Sequence, residues 1–233
     1  MTKTETALIV GAGPGLGGAI ARRCADEGMT VAVSARNKAK IEGVARAAGA
    51  RAFVCDATDP GAVAALFEDV AATLGVPDLV VFNASGHVRG SALEVEPAAF
   101  EAAWRNGCFG GFLVGRAAAA AMLARGSGTI LFTGATASLR SGARFIGFAA
   151  SKFGLRAVAQ SLAREFGPKG IHVAHINIDG QIKADRDGYR EAERGPDAVM
   201  DPDAIADAYW HLHRQQRSAW AHEIDLRPWV EKF

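Results

Sequence analysis

The chain has 233 residues, 49% hydrophobic and 22% charged, and its 26 Lys and Arg against 25 Asp and Glu give a formal net charge of +1. This balance excludes a disordered polar chain, a collagen-like repeat and a disulfide-stapled miniprotein, and the length suffices for one large core. Near-neutrality without a basic run removes the electrostatic case for nucleic acid or an anionic membrane surface.

The predicted elements alternate along the chain. Ala7–Val10 is a short apolar run ending in glycines, and a helical stretch, Leu16–Glu27, follows it. Thr30–Ser34 and Ala52–Cys55 are similar runs, followed by helical stretches Ala39–Ala48 and Ala62–Leu74. Leu79–Phe82 precedes a long helix over Ala98–Ala124. Thr129–Phe132 precedes another over Arg144–Phe166, and Ile171–Ile176 is the sixth run. Short continuous runs rich in Val, Ile and Phe suit strands buried on both faces of a parallel sheet. The alternation predicts a single-domain, Rossmann-like α/β fold, a doubly wound parallel sheet of about seven strands with helices on both faces. The run Ala117–Ala121 fits a close-packed helix face. The polar stretch 181–201 is expected to be a mobile segment over the substrate. Ala204–Arg214 reads as a last helix and Trp220–Asp225 as an edge strand.

Cys24, Cys55 and Cys108 stand far apart with no CxxC pair, and the six histidines form no ligand set. No metal site is therefore expected, and the free thiols point to a reducing compartment. No charged-then-apolar leader opens the chain, and no apolar run reaches the ~18 residues of a membrane span. A cytoplasmic protein is expected.

The chemistry starts at the first strand's end, in Gly11-Ala12-Gly13-Pro14-Gly15-Leu16-Gly17-Gly18. Glycines let the backbone turn sharply and approach a pyrophosphate, which the N-terminus of the following helix attracts. Both GxGxxG and GxxxGxG can be read there, and the position between strand and helix gives the pattern its weight. An NAD site carries an acid after the second strand, on the ribose 2′-hydroxyl. Here the strand runs into Ser34-Ala35-Arg36-Asn37. A guanidinium there suits a 2′-phosphate, so NADP(H) is favoured over NAD(H).

On these residues the chain resembles the short-chain dehydrogenase/reductase family over nearly its whole length. Gly11, Gly15 and Gly17 match its cofactor loop, with Gly13 and Leu16 beside them. Asp56 matches its adenine-contacting acid, and Phe82-Asn83-Ala84-Ser85 stands where the family has Asn-Asn-Ala-Gly. Asn106 and Lys152 match a catalytic Asn and the lysine of Tyr-x-x-x-Lys, and Ile182 follows the sixth strand as a further cofactor contact. The resemblance implies a Tyr that protonates a carbonyl, a Lys that lowers its pKa and holds the nicotinamide ribose, a Ser that orients substrate, and a homodimer or homotetramer formed through the two long helices.

The departures are as informative. Phe148 occupies the Tyr position and Ala135 the Ser position, with Thr136 and Ser138 as nearby hydroxyls out of register. Asp179-Gly180 stands where the family has Pro-Gly, and Asp179 either pairs with Lys152 as a speculative catalytic acid or is a solvated turn residue. His87 either touches substrate or sits in solvent. Two functions stay open. One is an oxidoreductase acting on a small carbonyl or activated alkene with a non-standard proton source. The other is an impaired NADP(H)-binding protein that serves as a sensor or assembly partner.

Overall fold

The computed structural model describes residues 4–183 and 195–232. Seven strands form one wholly parallel sheet: β1 (Thr6–Val10), β2 (Thr30–Ala35), β3 (Arg51–Val54), β4 (Leu79–Phe82), β5 (Gly128–Thr133), β6 (Ile171–Ile178) and β7 (Glu223–Leu226), in the order β3-β2-β1-β4-β5-β6-β7. Strand alternation sorts the apolar runs into two cores. Ala7, Ile9, Val31, Val33 and Val81 face one side, against helices α1 (Leu16–Asp26), α2 (Lys38–Ala47) and α7 (Pro202–His213). Leu8, Val10, Ala32, Val80 and Phe82 face the other, against α3 (Pro60–Leu74), α5 (Gly110–Leu123) and α6 (Ile146–Phe166). Each run is continuous because both sides of the sheet are covered.

The strand order reverses at β1, which pairs with β2 on one side and β4 on the other. A crevice outside the carboxyl ends of β1 and β4 is the place for a ligand in such a sheet. Gly11 and Asn83 are the first residues beyond those two ends.

Helix starts lie earlier than the apolar pattern suggests because the caps are polar. Asn37 accepts from the Lys40 N–H at 2.9 Å, and Asp59 accepts from Gly61 and Ala62 ahead of Pro60-initiated α3. Asp201 does the same for α7. These side chains satisfy N–H groups that the first turn leaves unpaired.

The expected continuous helix over Ala98–Ala124 is a correction. It is α4 (Pro97–Trp104) and α5 joined by a π turn, Arg105–Phe109. The cause is tertiary. Gly107 lies so close to Ser151 of α6 that any Cβ there would overlap its hydroxyl. Within the alanine run, Ala118 and Ala119 are buried against the second core while Ala120 faces solvent. The edge strand is Glu223–Leu226, a few residues later than expected, because Trp220 is used to stack on His172 at 4.8 Å.

Of the polar stretch 181–201, residues 184–194, with Arg186, Tyr189 and Arg190, lie outside the described residues. Its described ends are tied together. Ile182 bridges to Met200, Met200 N donates to Gln181 O, and Lys183 N donates to Met200 O, both at 2.8 Å. No helix among the described residues is long and apolar enough to cross a membrane.

Candidate active site

The glycine loop is shaped by close approach. Gly11 has φ +81°, in the left-handed region, and a Cβ there would overlap the Ala84 backbone. Asn83 Nδ2 donates to the Gly11 carbonyl at 3.1 Å, which ties the loop after β4 to the loop after β1. Gly13 and Gly15 instead face open space, and a Cβ on Gly17 would press on the Ala12 backbone. No side chain caps α1 at Gly15 and no acid sits in its first turn. The N-terminus of α1 is thus a bare donor end with room before it, the geometry that receives a pyrophosphate.

Beside it lies a cleft of about 230 Å³ whose walls include Gly11, Arg36, Asp56, Asn83, Ala84 and Asn106. Arg36 is exposed at its rim. Asp56 Oδ1 accepts from the Thr58 N–H and hydroxyl, each at 2.9 Å. The Thr58 N–H bond is the main cause that holds the Asp56 carboxyl below its usual range, with Arg36 and Arg105 adding to it. Asn106 lies in the π turn, and its side-chain amide donates back to Ala102 O at 2.8 Å. These residues can hold an adenosine ribose and its phosphate, so the cleft fits a dinucleotide.

A second cavity of about 430 Å³ opens between the loops after β5 and β6 and the start of α6. Ala135, Thr136, Arg140, Phe145, Phe148 and Ile178 are among its walls. Lys152, one helical turn beyond Phe148, is buried, and its amine donates to the Thr133 carbonyl at 2.8 Å. Burial pushes that amine down to about 8. Its Nζ lies 5.9 Å from the centre of the Phe148 ring, within cation–π range. His87 is exposed, and its ring packs on that of Phe148 at 4.9 Å.

Both expectations for Asp179 are corrected. It is buried, not a solvated turn acid. Among the described residues it pairs with arginines rather than with Lys152. Thr136 Oγ1 donates to its Oδ1 at 2.5 Å, Arg227 lies 3.4 Å from Oδ2, and Arg140 lies 3.8 Å from Oδ1. β6 runs to Ile178, two residues beyond the expected end, and so brings Asp179 to this pair of loops.

The two spare hydroxyls differ. Thr136 lines the cavity. Ser138 is buried behind it, accepts from the Ala135 N–H at 3.1 Å and meets His175 Nε2 at 3.2 Å. His175 Nδ1 lies 3.4 Å from Glu223, which Arg156 grips with two bonds of 2.6 and 2.7 Å. Sequence reasoning missed this chain, because the pairing of β7 with β6 is what creates it. It missed Arg140 too, for that residue sits in an irregular loop with no motif around it. Among the described residues no group of three or more His, Cys, Asp or Glu is placed to hold a metal ion.

Residues 5–194 match the short chain dehydrogenase family. The chain belongs to that family. A solved short-chain dehydrogenase from Rhodopseudomonas palustris is 40% identical, with a TM-score of 0.82 over 97% of this chain and all (100%) of that one. A metagenomic short-chain oxidoreductase solved in complex with NADP is 28% identical, with a TM-score of 0.84 over 97% of this chain and 98% of the other. D-threitol dehydrogenase from Mycolicibacterium smegmatis is 32% identical over 179 residues, 74% of this chain and 68% of that protein. Membership in this oxidoreductase family and the seven-stranded parallel sheet agree with the reading of the glycine loop and the βαβ alternation.

Proposed function

We propose that this short-chain dehydrogenase is an NADP(H)-dependent oxidoreductase that reduces an activated alkene or small carbonyl without the family's Tyr. The observation that carries the reading is the side chain at the cavity wall one turn before buried Lys152: a benzene ring, Phe148. The bound nicotinamide cofactor supplies hydride. The α1 N-terminus orients the pyrophosphate, and Lys152 holds the nicotinamide ribose beside the cavity. A benzene ring carries no ionisable proton, and Ala135 offers only a methyl group at the Ser position. Thr136 already directs its proton to Asp179, and a hydroxyl so engaged is a poor donor to a second acceptor. An activated alkene meets this site best, because its proton goes to carbon and solvent can deliver it. A ketone develops an oxyanion that needs a donor as it forms.

NADPH consumption with matched enones and ketones tests the proposal. Enones should turn over, ketones should lag by about 100-fold, and Lys152→Ala should remove turnover while circular dichroism stays unchanged. NADPH binding with no turnover of any panel member would overturn it and leave the sensor or assembly reading.

The NADP(H) preference rests on Arg36 at the cleft rim and on Asn37, which would otherwise be free for a ribose but is spent on the α2 cap. Arg36→Ala should weaken NADPH by about 10- to 100-fold, the range of one charge-assisted contact, and leave NADH within about threefold. Equilibrium titration of both coenzymes on both proteins gives the answer, and an equal loss for the two would sink the assignment.

Self-association through the long helices has a physical basis in an aromatic strip. Trp104 stacks on Phe109 at 5.9 Å, Phe109 meets Phe112 at 6.3 Å, and Phe112 and Phe153 stay 41% and 42% exposed. A second copy of the chain would cover them. Three free, buried thiols suit the cytoplasm.

A further inference from the structure

The cavity beside Phe148 has walls that are mostly hydrocarbon, with Ala135, Phe145, Phe148 and Ile178 among them, and Arg140 brings a charge to it. The carboxylate nearest that charge is Asp179, and it is already taken. Its Oδ1 receives the Thr136 hydroxyl at 2.5 Å and its Oδ2 faces Arg227 at 3.4 Å. Arg140 stands off at 3.8 Å from Oδ1, beyond hydrogen-bond reach, and its side chain is 54% exposed. Among the described residues this is its one ion-pair contact. Glu94 is paired with Arg144 at 3.2 Å, and a further cation, Arg89, lies over the ring of the lining residue Phe145 at 4.4 Å. Among the described residues Arg140 is the one charged side chain that lines the cavity, and its guanidinium fork keeps donors for an incoming planar anion.

We propose that Arg140 is a specificity-determining residue and that the substrate is an amphipathic anion. Its apolar body lies against Phe145 and Phe148, and its carboxylate docks on Arg140. This rests on the proposed oxidoreductase reading for the meaning of the cavity, and it adds the substrate's charge. Asp179 acts as the counter-charge that keeps Arg140 at the mouth until an anion arrives, and Thr136 and Arg227 keep that carboxylate from collapsing onto Arg140.

Isothermal titration of trans-cinnamate and trans-cinnamamide into the full chain, with and without saturating NADP+, tests this. The two ligands share shape and differ in charge. The acid should bind wild type at least about 10-fold more tightly than the amide. Arg140→Gln should bring the two within about threefold, and Arg140→Lys should restore part of the gap as a point charge without the fork. Three results would overturn the proposal: no preference for the acid in wild type, a preference that survives Arg140→Gln, or no binding of either ligand at millimolar concentration. The NADP+ titration is a separate readout. Absence of NADP+ binding would remove the oxidoreductase reading, and the acid-to-amide ratio on the free protein would still decide the role of Arg140.

Discussion

Phe148→Tyr is expected to raise ketone reduction by about 100-fold or more, the range that a positioned general acid contributes. The substitution adds one oxygen at the ring's para position and leaves the rest of the ring in place. Phe148 lies on the first turn of α6 and already lines the cavity, so the new hydroxyl enters space where a carbonyl oxygen can meet it. Lys152 Nζ, 5.9 Å from the ring centre, stands where a cation lowers the pKa of a phenol. The gain should depend on that amine. In Phe148→Tyr combined with Lys152→Ala, ketone reduction should be lost, as turnover is in Lys152→Ala alone. In Phe148→Tyr alone, enone reduction should change little, because its proton goes to carbon. The measurement is kcat/KM for a ketone and an enone of the same skeleton on the four proteins. A folded, NADPH-binding Phe148→Tyr protein with no ketone gain would mean that the substrate carbonyl does not sit at this wall.

The parts of the molecule that were legible in its sequence are those set by local chemistry. The glycine loop is one, since Gly11 needs its positive φ and its closeness to Ala84 whatever else surrounds it. The strands are another, because a run such as Leu79–Phe82 leaves no polar position for water on either face. The π turn at Asn106 is different. Its local sequence is helical, and the interruption comes from α6 pressing on Gly107. Asp179 shows the same limit at the site. Beside Gly180 it looks like a turn residue, yet two loops and Arg227, forty-eight positions later, enclose it. The cavity's shape depends on such meetings between distant segments, so the ring of Phe148 four positions before Lys152 was readable while Arg140 at the cavity wall was not.

His175 gives the fold a built-in sensitivity to acid. It is 0% exposed, and burial pushes its pKa down to about 4, although Glu223 beside it pulls the other way. Lys152, Arg156 and His222 are the other charged or titratable neighbours, and each also disfavours the proton. In the unfolded chain the same ring titrates near its ordinary value of 6.5. Above that pH both states carry a neutral ring and the full stability is present. As pH falls below it, the unfolded chain binds a proton that the native ring refuses, and stability drops until the native ring also titrates near 4. A gap of that size corresponds to about 3 kcal/mol. His175→Gln keeps a polar side chain facing Ser138 and removes the titration. Urea unfolding at pH 7 and pH 4 should therefore show wild type losing about 3 kcal/mol more than the variant. Carboxylates such as Glu223, held low by the bonds from Arg156, contribute an acid loss common to both proteins, and the comparison subtracts it. Equal losses in the two proteins would mean that His175 is reached by solvent protons in the native state. The Ser138–His175 contact would then not seal the loop that carries Ala135 and Thr136.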